Sequence, residues 1–168
     1  MGMTQKPQAD KVRLLSAATR DKIAQTAPNY DDRRSVVMPA LHAAQKQLGY
    51  LPDQALEEIA EILQLPPSEV GAVASFYTMY FRRPVGQHII SLCQTLSCAL
   101  CGSEGLLDYV SDKLNVKVGE TTEDGRFRLN AVECLGACDM APAAMIDDEY
   151  HGNLTREKID EVLRALGS

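Results

Sequence analysis

His88-Ile-Ile-Ser-Leu92 runs directly into Cys93-Gln-Thr-Leu-Ser-Cys98, and further along Phe127-Arg-Leu-Asn-Ala131 leads to Cys134-Leu-Gly-Ala-Cys138. Each stretch reads as a short strand that delivers a cysteine at its end. In the second, Phe127, Leu129 and Ala131 alternate with Arg126, Arg128 and Asn130, the period-two pattern of a half-buried strand. A strand end is rigid and the loop after it irregular, so two neighbouring strands of one sheet would bring two thiol-bearing loops to one point. Around them, Ser103 is expected to cap a helix carrying Leu106, Leu107, Val110 and Leu114 on one face. Ala143 to Asp147 reads as another strand. Thr155 is expected to cap a last helix with the stripe Ile159, Val162, Leu163 and Leu166.

Upstream of Gly86 the pattern is helical. Leu14, Leu15, Ala17, Ala18, Ile23 and Ala24 predict a first amphipathic segment ending at Pro28. A second runs from about Arg33 to Gln47, with Pro39 either kinking it or lying in its first turns, and Gly49 as its stop. Pro52 and Asp53 open a third, whose apolar face is Leu56, Ile59, Ala60 and Leu63. Pro66-Pro67-Ser68-Glu69 starts a fourth through about Met79, before Arg82-Arg83-Pro84-Val85-Gly86 breaks the pattern. The expected fold class is therefore α+β. Residues 1–86 form a helical domain, and residues 87–168 an α/β domain whose order of strand, helix, strands and helix resembles a thioredoxin-like sheet.

Composition bounds the function. The 168 residues, 45% of them hydrophobic, suffice for one sizeable core or two small ones. No apolar run approaches the roughly 20 residues that span a bilayer. Met1-Gly-Met-Thr-Gln-Lys6 lacks the apolar stretch of a secretory leader, and Lys6 stands where myristoylation needs Ser or Thr, so the expected compartment is the reducing cytosol. The net charge of −6 is uneven: residues 1–87 hold ten Lys/Arg against nine Asp/Glu, residues 88–168 seven against fourteen. An acidic, cysteine-bearing half repels phosphates, which argues against a nucleic acid partner. With no G-x-G-x-x-G after a strand and no P-loop, no nucleotide site is expected on this chain.

The five cysteines form two clusters, Cys93, Cys98 and Cys101 and then Cys134 and Cys138. An odd count without a leader argues against a disulfide framework. Iron-sulfur ligation is favoured over structural zinc, whose ligand pairs usually lie closer together in sequence. Spacing leaves alternatives open. Cys93, Cys98 and Cys101 spell the C-x4-C-x2-C of plant-type ferredoxins, with Cys134 as a distant fourth ligand and Cys138 spare. Cys98-Ala-Leu-Cys101 is also a C-x-x-C pair of the thiol-disulfide kind. Excess carboxylates near a redox centre disfavour adding an electron, which predicts a low potential in the span of roughly −700 to +450 mV. His42, His88 and His151 lie outside both cysteine loops, so they read as a packed or capped helix residue, a strand-start surface residue and a turn residue, not as Rieske ligands. Phe76, Tyr77, Tyr80 and Phe81 read as an aromatic stripe at helical spacing, for core packing or for docking, and Asp147-Asp148-Glu149 as a solvated turn or a contact for a basic partner surface.

Cys93-x4-Cys98 followed by Cys134-Leu-Gly-Ala-Cys138-Asp-Met-Ala-Pro142, and preceded by Val73-Ala-Ser-Phe-Tyr-Thr-Met79, resembles the thioredoxin-like 2Fe-2S subunit of respiratory complex I, the E or 24-kilodalton component of NADH:quinone oxidoreductase. The likeness extends through Leu41-His-Ala-Ala-Gln45, Gly49-Tyr-Leu51, Gly119-Glu-Thr-Thr122 and Asp124-Gly-Arg-Phe127 and covers about residues 15 to 165. The resemblance implies a helical N-terminal bundle packed on a thioredoxin-like domain carrying one 2Fe-2S cluster. Its ligands would be Cys93, Cys98, Cys134 and Cys138, with Cys101 outside the set. It implies electron transfer beside a flavoprotein subunit that binds NADH and FMN, with other NADH dehydrogenase subunits as further partners and no catalytic residue on this chain. It also implies a place at the inner face of the cytoplasmic membrane, held there through the complex and not by insertion. Diaphorase subunits of soluble NAD-linked hydrogenases and formate dehydrogenases share the motif, and a free thioredoxin-like ferredoxin is a further alternative.

Overall fold

Ser16 sets the start of the first helix: its Oγ accepts from the Thr19 N–H at 3.1 Å and caps α1, Ala17–Thr26. The computed structural model describes residues 13–167; the hexapeptide Met1–Lys6, read above for the lack of a leader, lies outside them. Leu14 and Leu15 precede α1 instead of forming its first turn. Their N–H groups donate to the buried carboxylate of Glu58 at 2.6 and 3.1 Å, and the Leu15 side chain is buried. The chain divides into two compact units between Pro84 and Val85.

The first unit is helical. After a 3-10 turn at Ala27–Asn29, a second at Arg33–Val36 runs into α2, Val37–Leu48. Pro39 sits in the first turn of α2, where its missing N–H has no partner to lose. Gly49 takes φ +79° and returns its N–H to the Gln45 carbonyl, the left-handed stop a glycine allows. Helix α3, Asp53–Leu63, buries Ala55, Leu56, Ile59, Ala60 and Leu63, and α4 spans Pro67–Phe76. Helix α4 ends three residues short of the Met79 expected from sequence. Gln45 is the cause, because its side-chain amide donates to the Met79 carbonyl at 2.9 Å and accepts from the Phe81 N–H at 2.8 Å. Those bonds, with Leu51 N–H on the Phe81 carbonyl, hold the segment non-helical. The aromatic run is thereby split. Tyr80 is 5% exposed, donates its hydroxyl to the Met38 carbonyl at 3.2 Å and meets His42 edge-on, whereas Phe76 is 79% exposed.

The second unit is built on a four-stranded sheet in the order β2-β1-β3-β4. Strand β1, His88–Cys93, pairs parallel with β2, Phe127–Val132, and antiparallel with β3, Ala144–Ile146, which pairs with β4, Glu149–His151. Between β1 and β2 lie a short helix α5, Leu96–Leu100, and the longer α6, Ser103–Leu114. Ile90, Leu92, Phe127, Leu129 and Ile146 share a core with Leu106 and Val110 of α6 and with Ile159 and Leu163 of α7, Arg156–Ala165. Thr155 caps α7 as expected, its hydroxyl accepting from the Lys158 N–H. The start of α6 differs from expectation. Gly102, at φ +89°, takes the capping position, and Ser103 is the first helical residue, its buried Oγ without a hydrogen-bond partner among the described residues. Strand β4 was not legible in sequence, so His151 lies on a strand and not in a turn. Asp147 and Asp148, at φ +48° and +70°, make the two-residue hairpin turn that twisted strands favour. Asp147 is more than solvated, since its carboxylate accepts from the Ile89 N–H at 2.8 Å and pairs with His88 Nδ1 at 2.5 Å. Where the chain approaches β1, a Cβ on Gly86 would lie 2.7 Å from the Phe127–Arg128 backbone, so only glycine lets it pass. Among the described residues no helix is long and apolar enough to cross a membrane.

Candidate metal centre

Because β1 and β2 are parallel neighbours, in register from His88↔Phe127 to Cys93↔Val132, both strands end at one edge of the sheet. Cys93 is the last residue of β1, and Cys134 follows β2 by one intervening residue. Helix α5, unforeseen from sequence, occupies the loop after β1 and turns Cys98 inward until it is buried. Leu96 and Leu100, four residues apart, share its outer face at 73 and 80% exposure. Cys93, Cys98, Ala137 and Ala143 make a small apolar group separate from the main core, with Leu135, Met140 and Ala141 packed against it.

Four thiols meet here in two pairs. Cys134 Sγ and Cys138 Sγ are 3.8 Å apart, and the Cys93 and Cys98 thiols lie within hydrogen-bonding reach of each other. The pairs are also close enough that Cys98 feels the charge of Cys138, and Cys138 that of Cys93. Cys101, at the exposed end of α5, takes no part in these interactions among the described residues. Nor, among those residues, do three His, Cys, Asp or Glu side chains converge where one ion would sit. Two thiol pairs, one on each loop, can supply two irons with two thiolates each.

Hydrogen-bond donors surround the sulfurs. Thr95 Oγ1 lies 3.2 Å from Cys93 Sγ, and the backbone N–H groups of Thr95 and Leu135 also reach Cys93. Ala143 N–H lies toward Cys98 and the Ser97 hydroxyl toward Cys138, each pulling its thiol down, and Gly136 N–H donates to Cys134 Sγ at 3.3 Å, set up by φ +75° at Gly136. Burial pushes the Cys93 thiol up, but these donors outweigh it and leave the group below its ordinary value. Burial raises Cys98, with the neighbouring Cys93 and Cys138 adding to the rise, and the adjacent Cys134 thiol raises Cys138. Thiolates this close repel one another, and cations among the sulfurs relieve that repulsion, which is the charge a pair of irons would supply. The donor set therefore fits a 2Fe-2S cluster.

Thr95, Ser97 and Ala143 were not singled out from sequence, and neither was Tyr150, whose hydroxyl donates to the Leu135 carbonyl at 3.0 Å. Thr95 and Ser97 were readable in principle as hydroxyls inside the first cysteine loop. Tyr150 carried no local sign, being fifteen residues away from Leu135.

Residues 23–167 match the model of the thioredoxin-like 2Fe-2S ferredoxin family. The chain belongs to that family. Among curated proteins it is 47% identical over 147 residues to the E 2 subunit of the NADH-quinone oxidoreductase of Rhizobium meliloti (strain 1021), covering 88% of each chain. It is 44% identical over 163 residues to the E subunit of the NADH-quinone oxidoreductase of Escherichia coli (strain K12), covering 97% of this chain and 98% of the other. Among solved structures, the H2-reduced NAD+-reducing NiFe-hydrogenase matches with a TM-score of 0.69 at 29% identity over 77% of this chain. The match spans 22% of the hydrogenase chain.

Proposed function

We propose that this chain is an electron-transfer subunit of the NADH dehydrogenase part of NADH-quinone oxidoreductase. It holds one 2Fe-2S cluster on Cys93, Cys98, Cys134 and Cys138, beside a flavoprotein subunit that binds NADH and FMN. It works at the inner face of the cytoplasmic membrane through that complex. The observation that carries this is the parallel β1–β2 pair, which ends two thiol-bearing loops at one edge of the sheet. Similarity to the E subunits of NADH-quinone oxidoreductase supports the host complex.

When bound, a 2Fe-2S cluster accepts and returns one electron at a time. The chain's own residues fix the conditions for that. Backbone N–H groups of Leu135, Gly136 and Ala143 offset negative charge on the sulfurs, while Ala137, Ala143 and Leu135 keep water from part of the site. Leu96 and Leu100 present an apolar face next to Cys98, the place for the flavoprotein subunit to approach within electron-transfer reach. A second reading, the diaphorase part of an NAD-linked hydrogenase, is supported by the hydrogenase likeness.

Purification of the tagged full chain from its own cells, with identification of its partners, separates the two. Membrane quinone-reductase subunits support the first reading, and a nickel-bearing subunit the second. The purified chain alone should show the visible absorbance and reduced-state paramagnetism of a 2Fe-2S centre and should oxidise no NADH until a flavoprotein subunit is added. Saturable NADH binding by the isolated chain would overturn the assignment.

A further inference from the structure

We infer that Tyr150 is a positioning residue for the cluster, acting through a single peptide group. The Leu135 carbonyl that accepts the Tyr150 hydroxyl at 3.0 Å belongs to the same peptide as the Gly136 N–H that donates to Cys134 Sγ at 3.3 Å. The two bonds lie at opposite ends of one rigid plane. A hydrogen bond on the carbonyl polarises the amide, so its N–H becomes a better donor, with each bond in such a chain strengthened by about 10–30%. It also fixes the orientation of that plane, next to the Leu135 N–H directed at Cys93. Tyr150 stands on β4, across from Met145 of β3, so its hydroxyl reaches the second cysteine loop from a paired strand and not from the loop itself.

The consequence is electrical. Reduction adds one negative charge to the cluster, and donors aimed at the sulfurs favour the more negative form, which raises the potential. Tyr150 is 53% exposed, so in its absence water can still reach the Leu135 carbonyl and only part of the effect is lost.

The inference rests on Cys134 being a ligand, and its test separates the two ideas. Tyr150→Phe and Tyr150→Ala are made in the full chain carrying its cluster, and each is titrated with redox mediators while the reduced-state paramagnetic signal is followed. Both variants should retain about two irons per chain. Poised at the wild-type midpoint, both should show the ratio of reduced to oxidised cluster falling about threefold to tenfold, tenfold being 59 mV for one electron. A phenylalanine variant at the wild-type midpoint while the alanine variant shifts would mean that the ring packs and the hydroxyl does nothing, and would overturn the inference. So would wild-type midpoints in both. If wild-type protein holds no iron, or if Cys134→Ser leaves the iron and its spectrum unchanged, the ligand assignment falls, and the inference with it.

Discussion

The helical unit keeps its buried residues in one continuous cluster, from Leu15 and Ile23 to Tyr80, while the sheet unit divides them between a main core and a separate group of four at the cysteine corner. Two of those four are cysteines. A group so small buries too little apolar surface to order two loops against their conformational entropy. With the ligand set proposed above, metal bonds would complete the corner, whereas the helical unit is held by its own packing. The hydrogen bonds follow the same division: Glu58 and Gln45 tie distant segments of the first unit together, and at the corner the donors point at sulfur.

The largest effect expected from breaking this contrast is at the thiols. Cys138→Ser should lose iron or shift the reduced-state spectrum, and Cys101→Ser should keep about two irons with the spectrum unchanged. The opposite outcome would exchange these two residues in the ligand set. The double variant Cys98→Ser with Cys101→Ser should hold less iron than Cys98→Ser, because Cys101 sits one helical turn away as a substitute ligand.

Next in size is the division within the aromatic run. Tyr80→Ala should cost about 3–5 kcal/mol in urea denaturation, since a buried ring and its hydroxyl bond are lost, while Phe76→Ala should stay within about 0.5 kcal/mol. Similar losses at both positions would show that the run packs as one body. Glu58→Ala should destabilise the same unit by about 1.5–3 kcal/mol, because the Leu14 and Leu15 N–H groups lose a charged acceptor, and Glu58→Gln by less.

The smallest effect is in the sheet unit. The Tyr109 hydroxyl, at 2.6 Å, and then Lys113 hold the Asp160 carboxyl below its ordinary value. A depressed carboxylate contributes stability that is fully present above its unfolded value of 3.8 and is lost as pH falls through the lower folded value. Melting temperature should therefore fall below about pH 4 partly through Asp160, and Tyr109→Phe should shrink that share. An acid profile identical in the variant would remove Asp160 from the account.

What sequence revealed and what it hid divide along the range of the interactions. The strand leading to Cys134 was legible because Phe127, Leu129 and Ala131 alternate with polar neighbours, and Gly49 and Thr155 because caps are local chemistry. The end of α4 was not, since Gln45 imposes it from more than thirty residues away. Helix α5 is a single turn, too short for periodicity to register, yet it decides which of Cys98 and Cys101 faces inward. Strand β4 is three residues with no apolar alternation, and the bond from Tyr150 to the second cysteine loop was hidden with it.

Gly86 makes the sheet a mechanical device. It lies just before β1, at the end of the sheet remote from the thiols, with no room for a methyl group against the Phe127–Arg128 backbone. Strands β1 and β2 are stiff rods six residues long, or about 20 Å at the usual rise. A wedge placed between two such rods at one end is transmitted to the other as a change in angle. Gly86→Ala would push the two strands apart at that end and alter the angle at which the two thiol-bearing loops meet, so the ligand geometry proposed above is open to change from a position that touches none of the sulfurs.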